Sequence, residues 1–358
     1  MKRIVFSVYC CASGLLAQEA NSGFELRTTL TAEAVYSHRL SEAPRLSVPW
    51  TGGIRAMLYP TWKISRHWTA SGAVQLSTRP YFFEQLPSQG RGVRADILQA
   101  HLCYSRFWGN NSIAVRVGEL SSAFGSFLLH YDDAANPLID MPVMYGYYYK
   151  PVTTYSLAGG QIDATLGKLD LRAQFSSSSP GNRRSIFDRD QYANWTGGVG
   201  YTIVQGWRVG ASAYRGPYLY RGYPYYFPGE AAPKDLPAAG YGVDVQWARG
   251  AWTIDGELAR FDKAYRLMPT FRQETGYIEL RRVLDPRWQI AARVSFMRPS
   301  AGERSAIYEA AAGFRPNPYQ LLKLGYQRTE TPNGRGALDD VVAVQLVTAF
   351  RAMSIARD

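Results

Sequence analysis

The stretch FELRTTLTAEAVY, residues 24–36, places apolar side chains at its even positions and mostly polar side chains at its odd positions. Successive side chains of a β-strand point to opposite faces, so this period of two predicts a strand with one apolar and one polar face. The same period returns along the whole chain, most clearly at residues 68–77, 98–105, 241–247, 288–296 and 342–350.

Weaker alternating segments fill the gaps and bring the predicted count to sixteen strands between Phe24 and Phe350, with fourteen or eighteen left open. The connections alternate in length. Short connections, such as residues 63–67, alternate with long connections, such as residues 79–92 and 120–152. Short turns at one rim and long loops at the other, with both chain ends on the short-turn side, are typical of outer-membrane barrels.

The composition excludes several other classes of protein. The chain has 358 residues, of which 46% are hydrophobic and 14% aromatic, and this is too apolar for a disordered protein. Three cysteines are too few for a disulfide-stapled mini-protein. No apolar run beyond the N-terminus reaches the roughly 18–20 residues that a helical membrane span needs.

The predicted fold is all-β, an antiparallel transmembrane β-barrel of about 16 strands (14–18), with long extracellular loops and short periplasmic turns. In hydrocarbon every backbone amide must be paired inside the protein, and a closed barrel satisfies this requirement without a free edge. The alternative is a secreted soluble β-sandwich. A sandwich would not need the regular alternation of long and short connections.

The N-terminus indicates export. Lys2 and Arg3 precede an apolar run from Ile4 to Leu16, and Ala17 is the expected cleavage position of a secretory signal peptide. The predicted organisation is a signal peptide at residues 1–17, a barrel at residues 18–350 and a short C-terminal tail at residues 351–358. Cys103 is then the one cysteine left in the mature chain.

Two stretches carry a family resemblance. Residues 115–120, with the sequence VRVGEL, are followed by Ala123-Phe124-Gly125, and this resembles the phosphate-selective porin O/P type of bacterial outer-membrane porin. The last strand, residues 341–350, resembles the signal that the barrel-assembly machinery reads. The resemblance implies a sixteen-stranded barrel, a third long loop that folds into the pore, and a homotrimer.

A barrel of sixteen strands leaves a water-filled lumen, which the polar face of each strand must line. The predicted basic pore-lining residues are Arg55, Arg116, Arg172 and Arg293. The predicted acidic residues of the constriction loop are Asp132, Asp133 and Asp140, expected to face Arg116, Arg172 and Arg293 across the pore. Separated charges of this kind would discriminate solutes by charge.

Other roles remain open for the three loop aspartates. They could cap turns or pair with loop arginines, or they could form a calcium site. The predicted function is a porin for the passive diffusion of small hydrophilic solutes with a weak anion preference. The alternatives are a channel specific for phosphate-like anions or for sugars, the latter suggested by the tyrosines of residues 145–149 and 214–227, and a barrel hydrolase using a serine near His130.

The remaining predictions concern partners. No enzymatic activity, cofactor, metal or nucleic acid is expected, because the four histidines lack a metal-ligand spacing and no DNA-binding module is present. The expected location is the bacterial outer membrane. The expected partners are outer-membrane lipid, lipopolysaccharide contacted by Arg183, Arg184 and Arg189, the barrel-assembly machinery, and small hydrophilic solutes or anions.

Overall fold

The computed structural model describes residues 22–42, 48–79, 81–83, 92–146, 152–153, 157–176, 194–217, 229–232, 235–332 and 340–357. The predicted signal peptide lies outside the described residues. The helical elements in these ranges are one short α-helix, α1 (Arg39–Glu42), and a 3-10 turn at Phe127–His130. No helix in the described part of the chain is long and apolar enough to cross a membrane.

Sixteen antiparallel strands form one closed barrel, so the predicted fold class is confirmed. In chain order they are β1 (Ser22–Tyr36), β2 (Trp50–Lys63), β3 (Trp68–Arg79), β4 (Gly92–Trp108), β5 (Asn111–Leu120), β8 (Leu157–Leu166), β9 (Leu169–Ser176), β10 (Asn194–Val204), β11 (Trp207–Pro217), β12 (Pro237–Arg249), β13 (Trp252–Lys263), β14 (Phe271–Val283), β15 (Trp288–Pro299), β16 (Ser305–Asn317), β17 (Gln320–Glu330) and β18 (Asp340–Arg357). Two short strands, β6 (Tyr145–Gly146) and β7 (Val152–Thr153), pair outside the barrel sheet.

The barrel closes between the two ends of the chain. β1 pairs with β2 on one side and with β18 on the other, so neither terminal strand is left at an open edge of the sheet. β5 pairs directly with β8, although residues 121–156 separate the two strands in the sequence. The longest connection therefore leaves the wall at one strand and returns at the neighbouring strand.

The two faces of the wall differ as the alternation predicts. Large apolar side chains point outward, and Ile54, Val117 and Ile278 are 62%, 62% and 56% exposed. Polar side chains point inward, where Arg293 and Lys323 are almost completely buried. This arrangement gives lipid-facing and lumen-facing residues in strict alternation, as in outer-membrane barrels.

Tryptophans mark the rim with the short turns. The exposed indole rings next to these turns are those of Trp62, Trp68, Trp108, Trp207, Trp252 and Trp288. Rings of this amphipathic kind favour the boundary between hydrocarbon and water. The rim also carries Ser22 and Arg357, the described ends of the chain, so both ends lie on the short-turn side.

The C-terminal boundary differs from the prediction. β18 does not end at Phe350 but continues to Arg357, and residues 351–357 pair with β1 at Ser22–Arg27 instead of forming a tail. The physical reason is that β1 begins at Ser22, where its backbone amides need a partner strand. A register shift between Leu26 and Arg27 accommodates the added length. The start of the barrel domain at residue 18 stays a prediction.

Gly118 lies near the end of β5, in register with His101 on β4 and Gly159 on β8, and we expect its substitution by alanine to destabilise the barrel. Its φ is 137°, and a Cβ built on it would lie 2.2 Å from the carbonyl oxygen of Ala100. The backbone would have to shift, so the free energy of unfolding should fall by about 1–3 kcal/mol. Equilibrium unfolding in denaturant measures the change.

The matched control is Gly160→Ala on the neighbouring strand β8. Its added Cβ would meet its nearest atom, the carbonyl oxygen of Arg116, at 3.7 Å, which is an ordinary contact. Equal stabilities for the two variants would show that the backbone at Gly118 is not constrained as described.

Candidate functional site

The segment that follows β5 folds into the barrel. We call residues 121–145 the lumen segment. Its residues Phe124 and Phe127 are each 1% exposed, and on the inner wall Phe124 packs against Phe261 and Phe127 against Tyr277. Such burial at a loop position requires an apolar environment inside the lumen, so the segment occupies space that sixteen strands would otherwise leave to water.

Hydrogen bonds hold the lumen segment to opposite sides of the wall. Its partners are side chains on β1, β2, β9, β11, β13, β15 and β17. These strands are spread around the circumference of the barrel. The segment therefore crosses the interior of the barrel and is fixed to the wall on several sides rather than resting on one side of it.

Glu257 on β13 is the most heavily used anchor. Its carboxylate accepts hydrogen bonds from the backbone N–H groups of Ser126 (3.0 Å) and Phe127 (2.7 Å) and from the hydroxyls of Ser126 (2.9 Å), Tyr277 (2.8 Å) and Tyr145 (2.6 Å). The side chain is 3% exposed. Five donors replace the water that a buried carboxylate loses, which is why the charge is tolerated there.

Tyr145, at the end of the lumen segment, is suited to donate a hydrogen bond to Glu257. Burial raises the pKa of its phenol well above the usual value, and the Glu257 carboxylate adds to the rise. The phenol therefore stays protonated near neutral pH and remains a hydrogen-bond donor.

A second anchor joins the segment to β2. Arg55 donates from Nη1 to Oδ1 of Asp133 at 2.9 Å, and both side chains are almost fully buried. The Tyr81 hydroxyl donates to Oδ2 of the same aspartate at 2.8 Å. Burial, followed by the charge of Asp133, raises the pKa of Tyr81 well above its usual value, so this phenol also stays a donor.

Two further cations bind the backbone of the segment. Lys323 on β17 donates to the carbonyl oxygens of Asp133 (2.6 Å) and Leu138 (2.9 Å). Arg293 on β15 donates to the carbonyl oxygen of Asp140 at 2.6 Å and also pairs with Glu309 and Glu279 on the neighbouring strands. Arg293 is paired with carboxylates and Lys323 is held by carbonyl oxygens, and both are buried, so neither charge is presented to a passing solute.

The other two aspartates of the segment, Asp132 and Asp140, have partners within the segment, and Asp132 also has partners on the wall. Asp132 accepts hydrogen bonds from the hydroxyls of Thr29 and Tyr59 on the wall and from the backbone N–H of Ala134. Asp140 accepts from the backbone N–H of Met141 at 2.8 Å. Asp132 and Asp140 therefore both accept hydrogen bonds from the backbone of their own segment, while Asp133 pairs with an arginine of the wall.

Arg116 and Arg172 do not meet the segment's aspartates. Both bind Asp163 on β8, at 2.6 Å and 3.1 Å respectively, and all three side chains remain partly exposed. Of the four predicted arginines, Arg55 and Arg293 contact the lumen segment and the other two line an open part of the wall. The structure therefore does not place the aspartates of the lumen segment opposite Arg116 and Arg172, as the sequence analysis predicted.

A second charged group continues this open wall. Arg208 on β11 lies 2.5 Å from Asp244 and 3.6 Å from Asp170 and is one-quarter exposed. The Arg208 guanidinium lies flat against the inner wall because the residue beneath it is Gly200, where a Cβ would come within 2.1 Å of the guanidinium. We call Arg116, Asp163, Arg172, Asp170, Arg208 and Asp244 the charged band.

The other proposed chemistries find little support in the geometry. The Ser126 hydroxyl donates to Glu257, and the Nδ1 of His130 lies 3.5 Å from the carbonyl oxygen of Ala135, so the pair shares no hydrogen bond among the described residues. No group of three or more potential metal ligands occurs in the described ranges. Residues 147–149, the tyrosines of residues 218–227, and the arginines at 183, 184 and 189 lie outside the described residues.

Comparison with solved structures shows which known proteins share this fold. No family model and no curated protein matches the sequence. The outer membrane channel DcaP of Acinetobacter baumannii matches with a TM-score of 0.62 at 11% identity, over 93% of this chain and 98% of that chain. The anion-selective porin from Comamonas acidovorans matches with a TM-score of 0.60 at 11% identity, over 92% and 100%.

The trimer form of OmpT, an outer membrane protein of Vibrio cholerae folded in vitro, matches with a TM-score of 0.59 at 9% identity, over 92% of this chain and 100% of that chain. All of these identities are low, so the likeness concerns the fold alone. The chain shares its closed barrel, over nearly its whole described length, with porins and channels of the outer membrane.

Proposed function

We propose that the chain is an outer-membrane porin that lets small hydrophilic solutes diffuse through its lumen. The observation that carries this proposal is a sixteen-stranded barrel with the lumen segment anchored across its interior. A barrel of this size is wider than its own side chains can fill, so an inward segment narrows a passage rather than filling a core. The similar outer-membrane channels support the proposal.

The charged band is where the solute path runs. Five of its six side chains are partly exposed, whereas Asp244 is buried against Arg208 and the anchors Arg55, Arg293 and Lys323 are buried beneath the lumen segment. Partly exposed charges on an inner wall can exchange partners with a passing ion, and buried pairs cannot. The path therefore follows the inner wall of β5, β8, β9 and β11.

A weak anion preference rests on two further arginines. Arg281 on β14 and Arg315 on β16 lie close enough for their charges to interact. Neither forms an ion pair with a carboxylate of the described ranges, although Asp255 on β13 is near enough to offset part of the charge of Arg281. The charged band itself is balanced, since each arginine in it has an aspartate partner. The unpaired charge at Arg281 and Arg315 would raise the local concentration of anions.

The reversal potential of the channel tests this preference. The mature chain, refolded in detergent and inserted in a planar bilayer under a KCl gradient, should give stepwise currents whose reversal potential leans toward chloride. Replacing Arg281 and Arg315 together by glutamine should move that potential toward potassium, because it removes the unpaired positive charge. The shift should shrink at high salt because the charges are screened.

Arg282→Gln is the matched control, since Arg282 points outward over the ring of Trp252 and not into the lumen. Its reversal potential should equal that of the unmodified chain. A cation-leaning potential in the unmodified chain would contradict the anion preference, and folded barrels without any current would contradict the porin.

A substrate-specific channel is the second candidate, and the filled interior favours it. Hydrophobic clusters join the lumen segment to several parts of the wall, one around Met57 and Tyr131 and another around Leu138. Such packing leaves a narrower passage than free diffusion requires. Block of the chloride current by added phosphate or by a sugar would distinguish this channel from a general porin.

The remaining proposals follow from the same barrel. We place the chain in the outer membrane after removal of residues 1–17 and assembly by the barrel-assembly machinery, without enzymatic activity. We also propose a homotrimer, which the trimer form of the similar Vibrio cholerae protein supports. The mass of the detergent-solubilised protein, measured by light scattering, would distinguish a trimer from a monomer.

A further inference from the structure

A groove of about 750 Å³ crosses the outer face of the barrel from β10 to β15. Its large apolar side chains point away from the lumen, and Val199, Tyr241, Val243 and Leu258 are between 43% and 59% exposed. The volume falls within the roughly 300–1,000 Å³ that is typical of small-ligand sites. The lumen segment contributes no lining residue, so the groove is separate from the proposed solute path.

Small residues beside large ones create the groove. Gly197 and Ala213 stand in register with Tyr241, and Ala211 stands in register with Val243 on the next strand. The short side chains of β10 and β11 therefore form a floor, and the side chains of β12 rise beside it. A surface of this kind, apolar and facing hydrocarbon, can accept an acyl chain along the strand direction.

The rim end of the groove is charged. Arg260, Glu274 and Arg298 lie in one row across β13, β14 and β15, near the ends of these strands at the long loops. Arg260 pairs with Asp262, its Nη2 lying 3.0 Å from the carboxylate. Arg298 stacks over the ring of Phe296 at 5.1 Å and has no carboxylate within ion-pair distance in the part of the chain that the structure describes.

We propose that this groove binds lipopolysaccharide, with an acyl chain in the apolar part and a phosphate of the headgroup on Arg298. The groove has cationic side chains at the long-loop rim and an apolar surface below them. This arrangement matches a lipid of the outer leaflet, whose phosphate lies at the membrane surface and whose acyl chains lie below it. A guanidinium binds phosphate through two parallel hydrogen bonds. The inference rests on the proposed outer-membrane location but not on conduction.

A second copy of the chain fits this surface less well. Contact between protein walls would bury the unpaired guanidinium of Arg298 away from water, and an unpaired buried charge is strongly unfavourable. A phosphate of the lipid supplies the missing anion. Glu274 lies between Arg260 and Arg298, and its negative charge repels the phosphate. Neutralising Glu274 should therefore strengthen lipid binding.

Lipid binding to the purified barrel tests the proposal. The full mature chain in nonionic detergent is titrated with bisphosphorylated lipid A, with the same lipid after removal of its phosphates, and with inorganic phosphate, and bound lipid is counted by native mass spectrometry. The variants are Arg298→Ala for the phosphate contact, Glu274→Gln for the opposing charge, and Ala213→Trp to fill the groove. Ala32→Trp, outward on β1, is the matched control for the added indole ring.

We expect Arg298→Ala to bind phosphorylated lipid A about tenfold more weakly, which is the loss of one charge-assisted hydrogen-bonded contact. Glu274→Gln should bind it more tightly, Ala213→Trp should bind both lipids more weakly, and Ala32→Trp should bind like the unmodified chain. Equal binding by Arg298→Ala and the unmodified chain would overturn the proposal.

Two other outcomes would also overturn it. Inorganic phosphate that competes as well as the lipid would make Arg298 a site for a free anion. A change in oligomeric mass in Ala213→Trp, without a change in lipid binding, would make the groove a contact between copies of the chain. Because no current is measured, failure of this test leaves the proposed channel unaffected.

Discussion

Replacing Arg293 by methionine is expected to lower the free energy of unfolding by about 3–5 kcal/mol. Arg293 is 1% exposed and binds both oxygens of Glu309, at 2.7 Å and 2.8 Å, and Glu279 at 3.2 Å. Methionine fills similar space but leaves two buried carboxylates without a cation. Equilibrium unfolding of the barrel in denaturant measures the loss.

Arg172→Met is the matched control, because Arg172 also pairs with a carboxylate on a neighbouring strand but is 30% exposed. A partly solvated pair contributes little, so this variant should lose less than about 1 kcal/mol. Adding Glu279→Gln and Glu309→Gln to Arg293→Met should restore most of the lost stability. Equal losses for the two single variants would show that water reaches Arg293.

Replacing Glu257 by alanine is expected to release the N-terminal part of the lumen segment and to enlarge the single-channel conductance. The change removes the acceptor of the two backbone N–H groups and the three hydroxyls that meet there. Buried donors without an acceptor cost free energy, so the segment gains by moving to water. The free energy of unfolding should fall by about 3–5 kcal/mol as well.

Glu330→Ala controls for the loss of a carboxylate, because Glu330 is exposed at the end of β17 and pairs with Arg328 on the surface. Its conductance should be unchanged, and its stability should change by less than about 0.5 kcal/mol. A conductance for Glu257→Ala that equals that of the unmodified chain would mean that the segment is held elsewhere or does not limit the current.

The barrel could be predicted from the sequence because its signal is local. Alternation reports which face of a strand is apolar, and it needs no knowledge of the neighbouring strands. It therefore gives the strand number and places Glu257, Arg293 and Lys323 on the polar face. The continuation of β18 beyond Phe350 was missed, because pairing with β1 depends on where the opposite end of the chain begins.

The contacts of the candidate site could not be predicted in the same way. Asp163 stands opposite Arg172 across β8 and β9, so a neighbour in register competes with any partner on the lumen segment. Which inward carboxylate meets the segment depends on the path of residues 121–145 inside the closed barrel. Glu257 carries no sequence signal that distinguishes it from Glu279 or Glu309 on the same face.

Chemical modification of Cys103 tests the central claim, that a water-filled path follows the inner wall beside the charged band. Cys103 is half-buried on β4, in register with Arg116 on β5. A negatively charged methanethiosulfonate reagent, added during a planar-bilayer recording, should reduce the current and move the reversal potential toward potassium, while a Cys103→Ser variant shows no change. A current that stays the same after mass spectrometry confirms modification of Cys103 would contradict the claim.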